Sequence, residues 1–360
     1  MRSNTDIIKN IVAVFVIYMA SAMIISPTSA INGAENALRL CADKVIPSLF
    51  PFIFCSNMFI SLGIARIASR TLSPLTQRLF GISGAGSLAI VLGVTSGYPI
   101  GAVCAASLYQ SGECTKTEAS RLLAFCNNSG PMFVIGSIGI GMLQNYRIGV
   151  FLYLIHLFSA LICGIIFKGW GNSENKNTLP PAFEDAEIKN AVPDMGTAIE
   201  KSVDTMLIIC GFIIIFSVFT SVIPDCSAKK YIYSFLEVTG GLNLLFENPN
   251  TLTLPLASFF LALSGLSVFA QVCSVVMPCG LSPKPYLAGK LLQGMVAFFL
   301  TFAATRLSPR YIPVYMQKTP PRWIFTPREA FGFGLTGIAV SLVLLIIIIF
   351  IVKIWERYIK

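Results

Sequence analysis

Residues 88–108 are apolar over the length of a membrane-spanning helix, yet their centre reads Gly93-Val94-Thr95-Ser96-Gly97-Tyr98-Pro99-Ile100-Gly101-Ala102. About twenty apolar residues are enough to cross a bilayer as one helix. Pro99 lacks the backbone donor that a continuous helix needs and clashes with the preceding turn, and Gly97 weakens the helix where that kink falls. In hydrocarbon an unpaired peptide group has no water to turn to. A broken backbone is therefore tolerated only where protein buries it or a wet cavity borders it. Secondary transporters hold solutes and ions at such breaks, against half-helix ends whose dipoles point inward. A kink that merely packs against a neighbour explains one such segment equally well.

The break occurs twice. Ser264-Gly265 stands 168 residues after Ser96-Gly97, and at the same offset Ala270 matches Ala102, Gly280 matches Gly112, Lys284 matches Lys116 and Leu291 matches Leu123. The second copy, Leu263-Ser264-Gly265-Leu266-Ser267-Val268-Phe269-Ala270-Gln271, again sets small and polar residues inside an apolar run. Interrupted segments at corresponding positions of two halves point to a transporter-like core. The expected fold is all-α, a polytopic and internally duplicated integral membrane protein with broken or re-entrant helices and about eight or nine membrane segments.

Composition excludes the other classes. Of 360 residues 55% are hydrophobic and 12% charged, half the charge of an ordinary soluble domain, and the mean hydropathy is +0.74. The net charge of +9 sits in loops and ends, at Arg66, Arg70, Arg78, Arg306, Arg310, Lys318, Arg322, Arg328, Lys353, Arg357 and Lys360. Those positions read as topology signals and lipid headgroup contacts. A nucleic-acid partner would want a basic stripe interleaved with exposed aromatics, and none occurs. The ten cysteines form no CxxC pair and lie mostly in apolar runs, where a free thiol acts as a small hydrophobe. With His156 as the one histidine, a His-based metal site or a catalytic triad has no material. No phosphate loop, dinucleotide fingerprint or catalytic set appears, so no enzyme activity, metal or cofactor is expected.

Five regions follow along the chain. Residues 1–30 hold an apolar run and then Pro27-Thr28-Ser29-Ala30, which resembles a signal-peptidase site; cleavage and an uncleaved first helix both stay open. Residues 31–168 form the first repeat, with a helix over 45–65, a basic amphipathic connection over 66–80, the broken segment, and a helix opened by a Thr115/Glu118 capping box. Residues 169–195 are a polar linker between the halves. The second repeat covers 196–305, and 306–360 hold a basic proline-containing loop and a last helix over 331–354.

Ionisable and amide groups beside interrupted membrane helices are candidates for function because burying them is expensive. Glu118 is one, with a helix-surface pair to Arg121 as its plainer role. Asn127, Asn128 and Ser129 precede Gly130-Pro131 and offer amides, carbonyls and a hydroxyl at an unwound point, suited to a neutral polar ligand or a desolvated cation. A polar turn that closes a re-entrant hairpin accounts for them equally well. In the second half Ser267 and Gln271 lie four apart, on one helical face, and Glu237 precedes Val238-Thr239-Gly240-Gly241. With Ser96, Gly97, Pro99, Ser264 and Gly265 these residues make up the candidate solute site.

Taken together, these motifs resemble the YlbJ family of sporulation integral membrane proteins, within the wider group that carries the nucleoside-recognition or Gate domain. The resemblance rests on Ser96 to Ala102, Glu118-Ala119, Arg121-Leu122, Asn127 to Pro131, Leu236 to Gly241, and Ser264 through Gln271. It covers nearly the whole chain in order. It implies a bacterial spore former, the mother-cell or outer forespore membrane, and a need for the protein in spore cortex formation. The Gate label implies a path for a small polar solute or cation; a non-transporting scaffold for cortex assembly is the rival reading. Lipid surrounds such a protein, and a second copy or other sporulation membrane proteins are the macromolecular partners open to it. In one departure from symmetry, Tyr286 rather than an acid stands at the position matching Glu118.

Overall fold

The computed structural model describes residues 4–62, 64–171, 195–223, 226 and 228–307. The expected polar linker lies outside the described residues except for 169–171 and 195, the basic loop except for 306 and 307, and the last helix entirely. All regular structure that is described is helical: α1 Asn4–Ile25, α2 Pro27–Leu40, α3 Ile46–Ser61, α4 Ile64–Phe80, α5 Ser87–Thr95, α6 Ile100–Gln110 and α7 Lys116–Phe125. A wide π-helical stretch, Met132–Met142, leads to α8 Tyr146–Ile166. Beyond the undescribed linker come α9 Met195–Ser221, α10 Lys229–Leu236, α11 Val238–Glu247, α12 Thr253–Leu263, α13 Gly265–Val276 and α14 Lys284–Leu307.

Among the described residues four stretches are long and apolar enough to cross a membrane: Tyr146–Gly169, Met195–Ser221, Thr253–Val276 and Lys284–Leu307. The number rises to 6 when two bent pairs are counted as one span each, Ala13–Ile25 with Pro27–Asp43 at 110° and Leu72–Phe80 with Gly84–Thr95 at 87°. The eight or nine segments expected include the last helix, outside the described residues, and count broken pieces separately. The breaks cut apolar sequence into pieces such as α6 and Met132–Met142, each too short to span alone. The first apolar run ends in a turn at Ser26, and Pro27 sits at the start of α2, where its missing donor leaves no bond unmade.

The 168-residue offset reappears in backbone geometry. Gly97 and Gly265 have φ of 98° and 78°, and Gly112 and Gly280 have 74° and 73°. In the first turn the Glu113 N–H donates to the Leu108 carbonyl (2.9 Å) and Gly112 N–H to Tyr109 (3.1 Å); in the second, Leu281 N–H donates to Val276 (3.1 Å) and Gly280 N–H to Met277 (2.9 Å). Both are left-handed glycine helix stops that satisfy orphan carbonyls. They hand the chain to α7 and α14, which begin at the matching Lys116 and Lys284. Burial pushes the Cys114 thiol in the first turn up, so it stays protonated and fills space.

After that start the halves diverge. Helix α7 stops at Phe125 and gives way to Cys126-Asn127-Asn128-Ser129-Gly130-Pro131. Helix α14 runs straight through the corresponding positions, where Met295, Val296, Ala297, Phe298 and Phe299 favour continued helix.

The core is built by α14 against α12, α7 and α8, by α9 against α2, α3 and α13, and by α13 against α6. Lipid is as apolar as leucine, so membrane helices associate through close backbone packing at small residues. A Cβ on Gly93 would lie 1.8 Å from the Cys126 carbonyl oxygen, one on Gly101 2.3 Å from it, and one on Gly289 2.0 Å from the Ala124 carbonyl oxygen. The end of α7 is thereby clamped between α5–α6 and α14. Gly136 meets nothing within 4 Å. We expect Gly93→Ala and Gly289→Ala each to destabilise the detergent-purified protein by about 1–3 kcal/mol or more through overpacking, read as a lower melting temperature. Gly136→Ala should leave it unchanged.

Candidate functional site

Two interruptions cross in the core. At Ser96–Pro99 helix α5 ends and α6 begins, with Gly97 in a left-handed conformation and a cis Tyr98–Pro99 peptide. Against it lies the Asn127–Pro131 turn. A Cβ on Gly97 would meet the Gly130 nitrogen at 2.9 Å, and one on Gly130 would meet the Ser96 carbonyl at 3.0 Å. Only two glycines let these backbones approach so closely.

Pro99 supplies no side-chain cap to α6, so the first turn of that helix borrows one. The Asn127 Oδ1 accepts from the Ala102 N–H at 3.4 Å. Asn128 is held at both ends: its Nδ2 donates to the Phe125 carbonyl (2.7 Å) and its Oδ1 accepts from the Gln293 Nε2 (3.0 Å). The Ser129 N–H donates to the His156 Nε2 at 3.0 Å. The Asn127 and Ser129 side chains are buried, and so is His156 on α8.

Helix α14 closes the far side with Tyr286, Lys290 and Gln293, all buried. The Lys290 ammonium donates to Gln293 Oε1 at 2.8 Å and sits 5.9 Å from the centre of the Tyr286 ring. The Gln293 Nε2 donates to Asn128 Oδ1 and, at 3.2 Å, to the His156 carbonyl. That amide has one orientation: Lys290 offers only donors and the His156 carbonyl only an acceptor. Lys290 is 1% exposed. His156 and the thiols of Cys163 and Cys126 lie within its electrostatic reach, and no carboxylate is ion-paired to it among the described residues.

Six buried side-chain polar atoms among the described residues make no well-formed hydrogen bond: Ser83 Oγ, Ser96 Oγ, Tyr98 OH, Asn127 Nδ2, Ser129 Oγ and His156 Nδ1. All but Ser83 belong to the crossing. A buried group left unpaired costs about 1–3 kcal/mol, so polar atoms without well-formed bonds are concentrated here. All five can donate, and the three hydroxyls can also accept. Asn127 Nδ2 is a donor outright, and because His156 Nε2 accepts from Ser129, its Nδ1 carries the proton. The Tyr98 and Ser129 hydroxyls are close enough to pair with each other, as are the Asn127 amide and the Tyr286 hydroxyl. Two further donors remain on Lys290.

The structure thus brings Ser96, Gly97, Pro99, Asn127, Asn128 and Ser129 together. Ser264 and Gly265 form the second break, Ser264 in the left-handed region at φ 64°, uncommon for a residue with a side chain. The Ser264 hydroxyl bonds the Leu263 carbonyl (2.6 Å) and the Tyr286 hydroxyl (2.9 Å), and Tyr286 reaches Asn127. Tyr286 therefore ties the second break to the first. Gly265 packs on the α10–α11 junction, where a Cβ would meet the Leu236 carbonyl at 3.2 Å. Ser267 and Gln271 are buried on α13 and face each other, Gln271 Nε2 to Ser267 Oγ at 3.5 Å.

Both acidic candidates hold helix ends. Glu118 makes the capping box: its own N–H donates to Thr115 Oγ1 (3.2 Å) and the Thr115 N–H to its Oε2 (2.8 Å), while its Oε1 takes the Ser83 N–H. Arg121 turns to the Trp170 carbonyl (2.9 Å) and the Gly81 carbonyl. Glu237 caps α11, accepting from the Thr239 N–H (2.8 Å) and the Gly240 N–H (2.7 Å); it lies within electrostatic reach of Tyr98. Sequence reasoning missed Tyr98, His156, Tyr286, Lys290 and Gln293 as site residues. Lys290 carried a signal, since a lone cation inside an apolar span is a functional marker; 288–304 reads as a plain span only when that charge is overlooked. No group of three or more His, Cys, Asp or Glu suited to a metal ion occurs among the described residues.

Long apolar helices, breaks packed against one another and a polar centre inside them define a polytopic α-helical integral membrane protein. Comparison gives the class a particular relative. The chain is a homologue of the sporulation integral membrane protein YlbJ of Bacillus subtilis (strain 168), 29% identical over an alignment of 330 residues, with 80% of each chain covered. No protein-family profile and no solved structure matches it.

The caps predict a separation of roles. Glu118→Ala and Thr115→Ala each remove the α7 cap and should lower stability by about 1–2 kcal/mol. The double variant should lose little more than either single one, because they share one motif; a full sum in the unfolding of the three variants would show the box to be absent.

Proposed function

We propose that this protein acts in spore formation by binding, and letting pass, a small anionic solute at the crossing of the Ser96–Pro99 break with the Asn127–Pro131 turn. The observation that carries the reading is the cluster of five buried polar atoms at that crossing without a well-formed hydrogen bond, among them the Asn127 Nδ2 and His156 Nδ1 donors. They lie beside the first turn of α6, whose dipole favours negative charge, in a site that also holds an ammonium with no carboxylate ion-paired to it among the described residues. The Asn127 amide nitrogen, the His156 N–H and the Lys290 ammonium can only donate, and they suit a ligand rich in acceptors, a carboxylate or phosphate. That turns the choice of solute away from the cation that an unwound Asn-Asn-Ser turn suggests by itself. A site at the crossing of half-helices is also where an alternating-access protein holds its cargo. The sporulation role is supported by homology to YlbJ; a part in cortex formation, from the outer forespore membrane, is the finer reading that the sequence resemblance implies.

Thermal unfolding of the detergent-purified protein tests this against nucleosides, amino sugars, small carboxylates, inorganic phosphate, and mono- and divalent cations. A ligand specific for the folded state adds about 2.7 kcal/mol at a hundred times its dissociation constant. We expect a carboxylate or phosphate to raise the midpoint and the rise to vanish in Asn127→Leu with Ser129→Ala. In a spore former, the Asn127→Leu, Asn128→Leu protein should accumulate in the membrane without supporting cortex formation. Normal cortex in that strain would remove the site. A folded protein that no compound stabilises would favour a scaffold.

A further inference from the structure

We propose that Gln293 determines the charge selectivity of the site, by holding the Lys290 ammonium in place without neutralising it. This rests on the reading that the site takes an anionic solute.

The argument starts from what a buried ammonium needs. An isolated charge in a low-dielectric interior is strongly unfavourable unless hydrogen bonds or a counter-charge replace water. The side-chain acceptor that meets Lys290 is Gln293 Oε1, one turn further along α14 at 2.8 Å. Glutamate has the same reach and would form an ion pair there, leaving the site electrically neutral. Glutamine orients the ammonium through one hydrogen bond and leaves its charge and its remaining donors for whatever enters. The amide cannot turn round to do otherwise, because its nitrogen is engaged by the Asn128 Oδ1 and the His156 carbonyl.

These bonds give Gln293 a second hold on the site. Through Asn128 it fixes the turn that presents Asn127 and Ser129, and through the His156 backbone it anchors the helix whose ring meets the Ser129 N–H. The cation and the buried polar atoms of the turn are thus set by one neutral side chain. At the 168-residue offset, the positions matching Lys290 and Gln293 hold Leu122 and Phe125. Both are buried and apolar, and Phe125 stacks on Phe80 at 4.8 Å, so the arrangement belongs to the second half alone.

Titration calorimetry on the full chain in detergent tests the proposal with benzoate, its neutral isostere benzamide, and inorganic phosphate. The wild type should bind benzoate tighter than benzamide by roughly tenfold or more, as close charge pairing implies. Lys290→Met should reduce that ratio to about one. Gln293→Glu should do the same, at a lower melting temperature, because its second oxygen faces the Asn128 Oδ1 and the His156 carbonyl to which the amide donated. Gln293→Met, which leaves the ammonium uncompensated, should weaken both ligands and keep the ratio. It also serves as the readout if the glutamate variant does not fold. A wild-type ratio in folded Gln293→Glu, or a ratio lost in Gln293→Met, overturns the role given to Gln293. A wild type that binds neither benzoate nor phosphate, or that does not prefer benzoate, overturns the anionic reading itself and this inference with it.

Discussion

Everything in this protein follows from the rule that peptide groups in hydrocarbon must find their partners within the protein. A chain that breaks its helices there has to bring the broken places to one another. Here the α5–α6 break, the turn after α7 and the Ser264–Gly265 break are stacked through the core, and glycine backbones pack at van der Waals distance on carbonyls of the next segment. Where a cap is missing it is supplied from across the contact, as Asn127 supplies α6. The breaks are the places where the interior is most tightly determined.

That same packing leaves polar side chains with nowhere to turn. Tight backbone contact at Gly97 and Gly130 brings Ser96, Tyr98, Asn127 and Ser129 to one crossing, and α8 and α14 pack on it with His156 and Gln293. The outcome is a cluster of buried polar atoms without well-formed hydrogen bonds. The second break differs: Ser264 is satisfied by Leu263 and Tyr286, and the junction it packs on is capped by Glu237. Equivalent places in the two halves therefore differ, one leaving buried polar atoms without well-formed bonds and one closed on itself, with Tyr286 joining them. The acids went to helix ends, where they neutralise dipoles and orphan N–H groups.

Much of this was legible beforehand. Apolar run length identified a membrane protein, Gly and Pro inside the runs marked the breaks, and Thr115 followed three residues later by Glu118 marked a helix start that the structure forms. The offset between Ser96-Gly97 and Ser264-Gly265 anticipated the matched left-handed glycines. Glu118 and Glu237 were drawn toward the solute site because a buried acid is a strong signal, and a linear string does not say whether that acid faces a ligand or its own helix. Lys290 was legible as a charge in a span, but its lack of a counter-charge was not. Which apolar pieces join into one span was not legible either, since breaks and bends of 87° and 110° depend on what each half-helix packs against.

The sequence by itself determined the solvent, the helical class, the position of the breaks and the chemical kinds of side chain near them, because these depend on local composition and on what a residue's own backbone permits. Only the tertiary structure decided which breaks meet, which polar atoms are left without well-formed bonds and that an ammonium has no carboxylate ion-paired to it among the described residues. Those are properties of residues 165 positions apart, such as Asn128 and Gln293, and hydrogen-bond satisfaction is a count over neighbours in space.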